Sequence, residues 1–114
     1  RADVLLAQPA DPAVRQEVIE TMARIDPAAY RIGAQAVWLA DQHDRATDVR
    51  VPTLVVCGAE DRVTPPTLSL VLTRLIPGAR CEVIQRASHL ANLDRPDQFN
   101  TQVGAFIRGV DSRR

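Results

Sequence analysis

The sequence predicts an α/β fold, and three observations carry that expectation. Thr53-Leu54-Val55-Val56-Cys57 is a short, nearly continuous apolar run rich in β-branched residues, ending at Gly58. A second short run, Cys81 to Ile84, follows after a helix-length interval. Apolar residues at helical spacing fill that interval and flank the two runs. Runs without polar alternation suit strands covered on both faces, as in a parallel sheet.

The elements follow in order. Residues 1–10 are apolar but poorly patterned. Asp11-Pro12 is a helix start, a side-chain acceptor followed by a proline with no amide hydrogen to lose. Val14, Val18, Met22 and Ile25 then give an amphipathic helix over 12–25. Asp26-Pro27 repeats the start signal, and a second helix carries Tyr30, Ala34, Val37 and Trp38 on one face. The charged stretch Asp41 to Arg50 ends the helical region. After the first strand and a turn over Ala59 to Val63, Thr64-Pro65-Pro66 opens a helix with Leu68, Val71, Leu72 and Leu75 as its apolar positions. Pro77-Gly78 closes it. Beyond the second strand lies a loop through His89, then a helix from about Pro96 to Gly109 with Phe99, Val103, Phe106 and Ile107. Strand, helix, strand is a right-handed crossover unit. Two strands do not make a doubly covered parallel sheet, since sheets usually have about 4–6; the remaining strands are expected from an absent part of the same protein.

Composition excludes several classes. At 114 residues the chain holds one domain at most. Hydrophobic residues at 46% and charged residues at 25% are globular values, so wholesale disorder is not expected. Its longest apolar runs fall far short of the ~20 residues of a membrane span. The 14 cations balance 14 acidic groups, so no overall field favours nucleic acid or an anionic membrane. All the cations are Arg, which rules out a lysine base or Schiff base within this chain. Cys57 and Cys81 are too few for a disulfide scaffold and read as small buried hydrophobes, in keeping with a reducing cytoplasm. The chain begins at Arg1 and shows no signal peptide, so it is expected to start partway through a longer product.

Asp61 and His89 stand 28 residues apart, each in the loop after the carboxyl end of a strand. Neighbouring parallel strands run ~4.8 Å apart, so those loops emerge together at the edge where open α/β sheets bind ligands. A carboxylate there can hold one imidazole nitrogen and stabilise the ring when the other takes a proton. Two structural alternatives stand beside this one: Asp61 capping the amides of its own turn, and His89 packing in an apolar loop.

VPTLVVCGAEDRVTPP (51–66), followed by IPGARCEVIQRASHLANLDRPDQFNTQVGAFI (76–107), resembles the C-terminal part of α/β-hydrolase-fold enzymes. The resemblance implies that Gly58 to Asp61 is the Gly-x-x-Asp segment supplying the triad acid, Asp61, and that His89 is the catalytic histidine. SHLANLDRPDQFN is similar to the 3-oxoadipate enol-lactonase group and nearby small-ester hydrolases, which implies hydrolysis of an ester or lactone without metal or organic cofactor. Residues 1–50 are then expected to be part of a helical cap, and 51–114 the last two strands and helices of the core.

The departure from the family is a missing nucleophile. It belongs in a Gly-x-Ser-x-Gly elbow upstream of the acid, and Ser69, Ser88 and Ser112 lie in no such elbow. Ser88 adjoins His89 only in sequence, and the two cysteines lie within strands. The expected partner is therefore an N-terminal portion bearing the serine, without which the 114 residues are inactive. The rival expectation is an inert interaction module or remnant that completes its sheet with another chain. A flavodoxin-like or receiver-like domain would need about five strands. Among lesser candidates, His43 sits in a charged stretch read as a solvated face rather than a metal site, and Glu60 adjoins the acid without matching the motif. Tyr30 and Trp38 suit either a pocket wall or helix packing, and Leu90 and Asn92 flank the His89 loop.

Overall fold

A computed structural model of the chain describes residues 1–113; Arg114, the last position of the segment expected over 51–114, lies outside them. The order is α1 (Ala2–Leu5), α2 (Pro12–Ala23), α3 (Pro27–Leu39), α4 (His43–Ala46), β1 (Leu54–Gly58), α5 (Pro66–Leu75), β2 (Arg80–Ile84), α6 (Ala91–Asp94) and α7 (Pro96–Asp111). Both Asp-Pro starts work as the sequence predicts. The Asp11 carboxylate accepts the amides of Ala13 at 2.8 Å and Val14 at 3.2 Å, and that of Asp26 accepts Ala29 at 2.8 Å. Each satisfies helix amides that have no partner within the first turn.

The strands pair in parallel, in register from Leu54 opposite Arg80 to Gly58 opposite Ile84, with α5 as the crossover. Successive side chains of β1 point to opposite faces, and each face is met by a different helix. Val56 and Ile84 pack with Phe99 of α7, while Cys57 lies against Ser69 of α5. The apolar run is thus met by a helix on each face, although Leu54, Val55 and Val56 stay half-buried. At the end of α5, Gly78 takes φ 74°, a left-handed turn that glycine adopts without a Cβ penalty.

Two small apolar clusters flank the loop between β2 and α6. Ala2, Leu6 and Val18 gather Leu90 and Leu93 from one side. Ile84, Ala87 and Ala91 pack with Val56 and Phe99 on the other. The unpatterned residues 1–10 therefore carry a structural role that periodicity did not show: Leu6 is 2% exposed. By contrast, α3 has no buried residue, and Val37 and Trp38 of its apolar face are 75% and 85% exposed. No described helix is long and apolar enough to cross a membrane.

Candidate active site

Gly58 ends β1, and the turn behind it is bonded directly to the end of β2. Ala59 N–H donates to Ile84 O at 2.9 Å, and Glu60 N–H donates to Ala87 O at 2.8 Å. The backbone of Ala87 and Ser88 rests against the Gly58 Cα. A Cβ there would lie 2.2 Å from Ser88 O and 2.4 Å from Ala87 O, so only glycine fits. On the other side, Arg86 turns the chain with φ 55° after β2, and Ala87 is fully buried. These contacts deliver two side chains to one point: Asp61 Oδ2 lies 2.9 Å from His89 Nδ1.

Asp61 is held from several directions. Its Oδ1 accepts the amides of Val63 at 2.8 Å and Thr64 at 2.9 Å, and its Oδ2 accepts the Thr64 hydroxyl at 3.0 Å. Thr64 Oγ1 also stands 3.3 Å from His89 Nδ1. Burial, the largest single influence on Asp61, works to raise its pKa. The donors from Thr64, His89 and Val63 together outweigh it and hold the carboxyl below the usual carboxylate range. Asp61 thus caps the amides of its own turn and contacts His89 at the same time.

An ionised Asp61 can only accept, so Nδ1 of His89 carries the hydrogen of that bond. In the neutral ring this leaves Nε2 with a free lone pair, the state in which it takes up a proton. The side chain of Asp61 is 5% exposed and that of His89 is 34% exposed, so the carboxylate lies inside and the ring reaches solvent. His89 also lines a cavity of about 740 Å³. Its walls include Val4, Leu5, Val18, Met22, Leu90 and Leu93, with Glu17, Thr21 and Tyr30 among its polar members.

No serine or cysteine among the described residues is hydrogen-bonded to His89. Ser88 is 2% exposed, and its hydroxyl faces Val4 O at 3.2 Å and Glu60 O at 3.3 Å. The Ser112 hydroxyl donates to Gly109 O at the end of α7. Burial raises the pKa of Cys57 above the ordinary thiol value, so it is held as the thiol rather than the nucleophilic thiolate. His43 forms a second pair, Nδ1 to Asp41 Oδ1 at 2.7 Å, but with side chains 66% and 80% exposed it lies on the solvated surface. Tyr30 lines the cavity and Trp38 does not.

The alpha/beta hydrolase fold family model matches residues 16–96, more than half of the chain. The chain belongs to the alpha/beta hydrolase fold family. Within it, the chain is similar to 3-oxoadipate enol-lactonase 1 of Acinetobacter baylyi, 28% identical over 95 residues, which covers 83% of this chain and 35% of that protein. It is also similar to a pimeloyl-(acyl-carrier protein) methyl ester esterase of Neisseria meningitidis, 29% identical over 107 residues, covering 93% of this chain and 34% of that protein. Among solved structures, the enol-lactonase from Burkholderia xenovorans LB400 superposes with TM-score 0.79 at 30% identity, over 85% of this chain and 37% of its own. An esterase from Exiguobacterium antarcticum shares the fold with TM-score 0.88 at 21% identity, over 94% of this chain and 40% of its own. The chain therefore spans little more than a third of the length of these curated hydrolase-fold relatives.

The meeting of Asp61 and His89 follows from the strand order expected of the sequence, but what holds the pair does not. Thr64 read as a helix opener, although an acceptor two and three residues ahead of Val63 and Thr64 is the spacing of a side-chain-closed turn. The cavity wall at Val4 and Leu5 had no periodic signal at all.

Proposed function

We propose that this chain is the C-terminal portion of a serine-type hydrolase that cleaves a carboxylic ester or lactone. The observation that carries the reading is the 2.9 Å contact between Asp61 Oδ2 and His89 Nδ1, at the mouths of two adjacent parallel strands and beside an apolar cavity. In this reading residues 1–50 belong to a cap over the site, and the nucleophilic serine lies on an N-terminal portion. Nε2 of His89 takes the serine proton as Oγ bonds to the substrate carbonyl carbon. The alkoxide leaving group departs with that proton, giving the acyl-enzyme. Water then attacks the acyl carbon, losing its proton to Nε2, and the serine leaves with that proton restored. Asp61 holds the ring orientation and stabilises the imidazolium at each stage. The chemistry asks for no metal or organic cofactor.

The chain's similarity to an enol-lactonase and a methyl ester esterase supports this reaction class. The exposed apolar side chains of α3 and α5, among them Ile32, Val37, Leu68 and Val71, fit a surface that such a portion covers. The test is p-nitrophenyl acetate hydrolysis by this chain combined with the nucleophile-bearing portion. Turnover is expected only in the combination, and kcat should fall by about 10⁴-fold in Asp61→Asn and by about 10⁶-fold in His89→Ala. Full activity of the combination carrying His89→Ala would sink the mechanism, and a folded, inert monomer under all conditions would favour the interaction-module reading.

A further inference from the structure

Asp94 makes no hydrogen bond to the His89 ring and does not line the cavity, yet it holds the backbone on both sides of the site. It is the last residue of α6, and its amide donates to Leu90 O at 3.0 Å, so its place is fixed relative to the residue following His89. Its Oδ2 accepts the Ser88 amide at 2.8 Å and the Ala7 amide at 2.9 Å. One oxygen thus ties the residue before His89 to a segment 81 positions earlier in the chain. Two further bonds follow the same seam: Leu90 N–H donates to Leu5 O at 2.9 Å, and the Ser88 hydroxyl has Val4 O at 3.2 Å. Ser88 and Ala7 are buried, at 2% and 7% exposed, so an amide released there has no water to replace its partner. Both acceptor bonds are charge-assisted and correspondingly strong.

We propose that Asp94 is a positioning residue that sets His89 and the Val4–Leu5 wall of the cavity together through this shared acceptor. The inference rests on the reading of Asp61 and His89 given above. Its consequence is mechanical. A ligand that presses on Val4 and Leu5 acts on carbonyls bonded to the residues either side of His89, so the fit of the substrate at that wall is transmitted to the imidazole.

The experiment uses the assembled hydrolase, or the chain itself where its amide spectrum is dispersed, and reads three signals in Asp94→Ala and Asp94→Asn. In Asp94→Ala, hydrogen exchange at Ala7 and Ser88 is expected to accelerate together, by about tenfold or more. The downfield Nδ1 proton of His89, the signature of its bond to Asp61, is expected to weaken, and kcat for p-nitrophenyl acetate to fall about tenfold or more with KM within about twofold. Asp94→Asn, which keeps a carbonyl acceptor, is expected to restore most of each. Unchanged exchange at either amide in Asp94→Ala overturns the proposal. So does an intact His89 signal once both amides are released. Failure of the underlying pair is separately visible: the unsubstituted protein would then lack the His89 signal that Asp61→Asn is expected to abolish, while exchange at Ala7 and Ser88 still reports the Asp94 contacts.

Discussion

Gly58→Ala places one methyl group where the two halves of the site meet. The added carbon would sit 2.2 Å from Ser88 O and 2.4 Å from Ala87 O, where contacts under 3.0 Å are essentially never seen. Both oxygens belong to backbone, so no side chain can swing aside, and the loop must retreat by about 1 Å. Asp61 lies three residues beyond Gly58 and His89 one beyond Ser88, so a retreat of about 1 Å between their loops is enough to carry their 2.9 Å bond past hydrogen-bond range. The Glu60 amide bond to Ala87 O, at 2.8 Å, is strained by the same movement. Overpacking of this kind costs about 1–3 kcal/mol, and misplacing a reacting group by ~1 Å costs about 10²-fold in rate. Kinetics of ester hydrolysis by the assembled enzyme, with urea midpoints in parallel, should show kcat down by about 10²-fold. A Gly58→Ala protein with unaltered kcat and unaltered midpoint would refute the close approach and the coupling drawn from it.

Three further outcomes are expected. Thr64→Val removes one donor from the Asp61 carboxylate while keeping the side chain's shape, so the Asp61 pKa should rise and stability fall by about 1.5–3 kcal/mol; carboxyl NMR titration checks the first, urea unfolding the second, and Thr64→Ser should recover both. Because the pKa of Asp61 is depressed on folding, its contribution to stability is fully present above the unfolded carboxyl value of 3.8 and is lost as pH falls through the lower folded value. Urea midpoints taken through that acid window should therefore drop less steeply in Asp61→Asn than in the unsubstituted chain. Leu6→Ala empties a side chain that is 2% exposed at the centre of the N-terminal cluster and should cost about 2–5 kcal/mol, measured by the shift in denaturation midpoint.

Those predictions divide by how much of each feature the sequence exposed. The two Asp-Pro helix starts and the strand run ending at Gly58 were legible because each depends on chemistry within a few residues. The contact between Asp61 and His89 was legible because parallel neighbours put their following loops side by side. The helix starting at Pro12 closes at Ala23 rather than residue 25, since Arg24 N–H turns back to Thr21 O and the chain re-enters at Asp26. Short α1, α4 and α6 escaped notice because a four-residue helix presents barely one turn of pattern. Residues 1–8 escaped for another reason: Leu6 packs with Val18 of the next helix and with Leu90 and Leu93, and the Ala7 amide is held by Asp94, contacts between elements that no local pattern records.

Trp38 is the single tryptophan of the chain and stands 85% exposed on α3. An indole so placed emits at long wavelength and is open to collisional quenchers such as iodide. Any macromolecule that settles over this helix must therefore change the colour and the quenching of one unambiguous fluorophore, and the protein carries its own optical gauge of whether that surface is occupied.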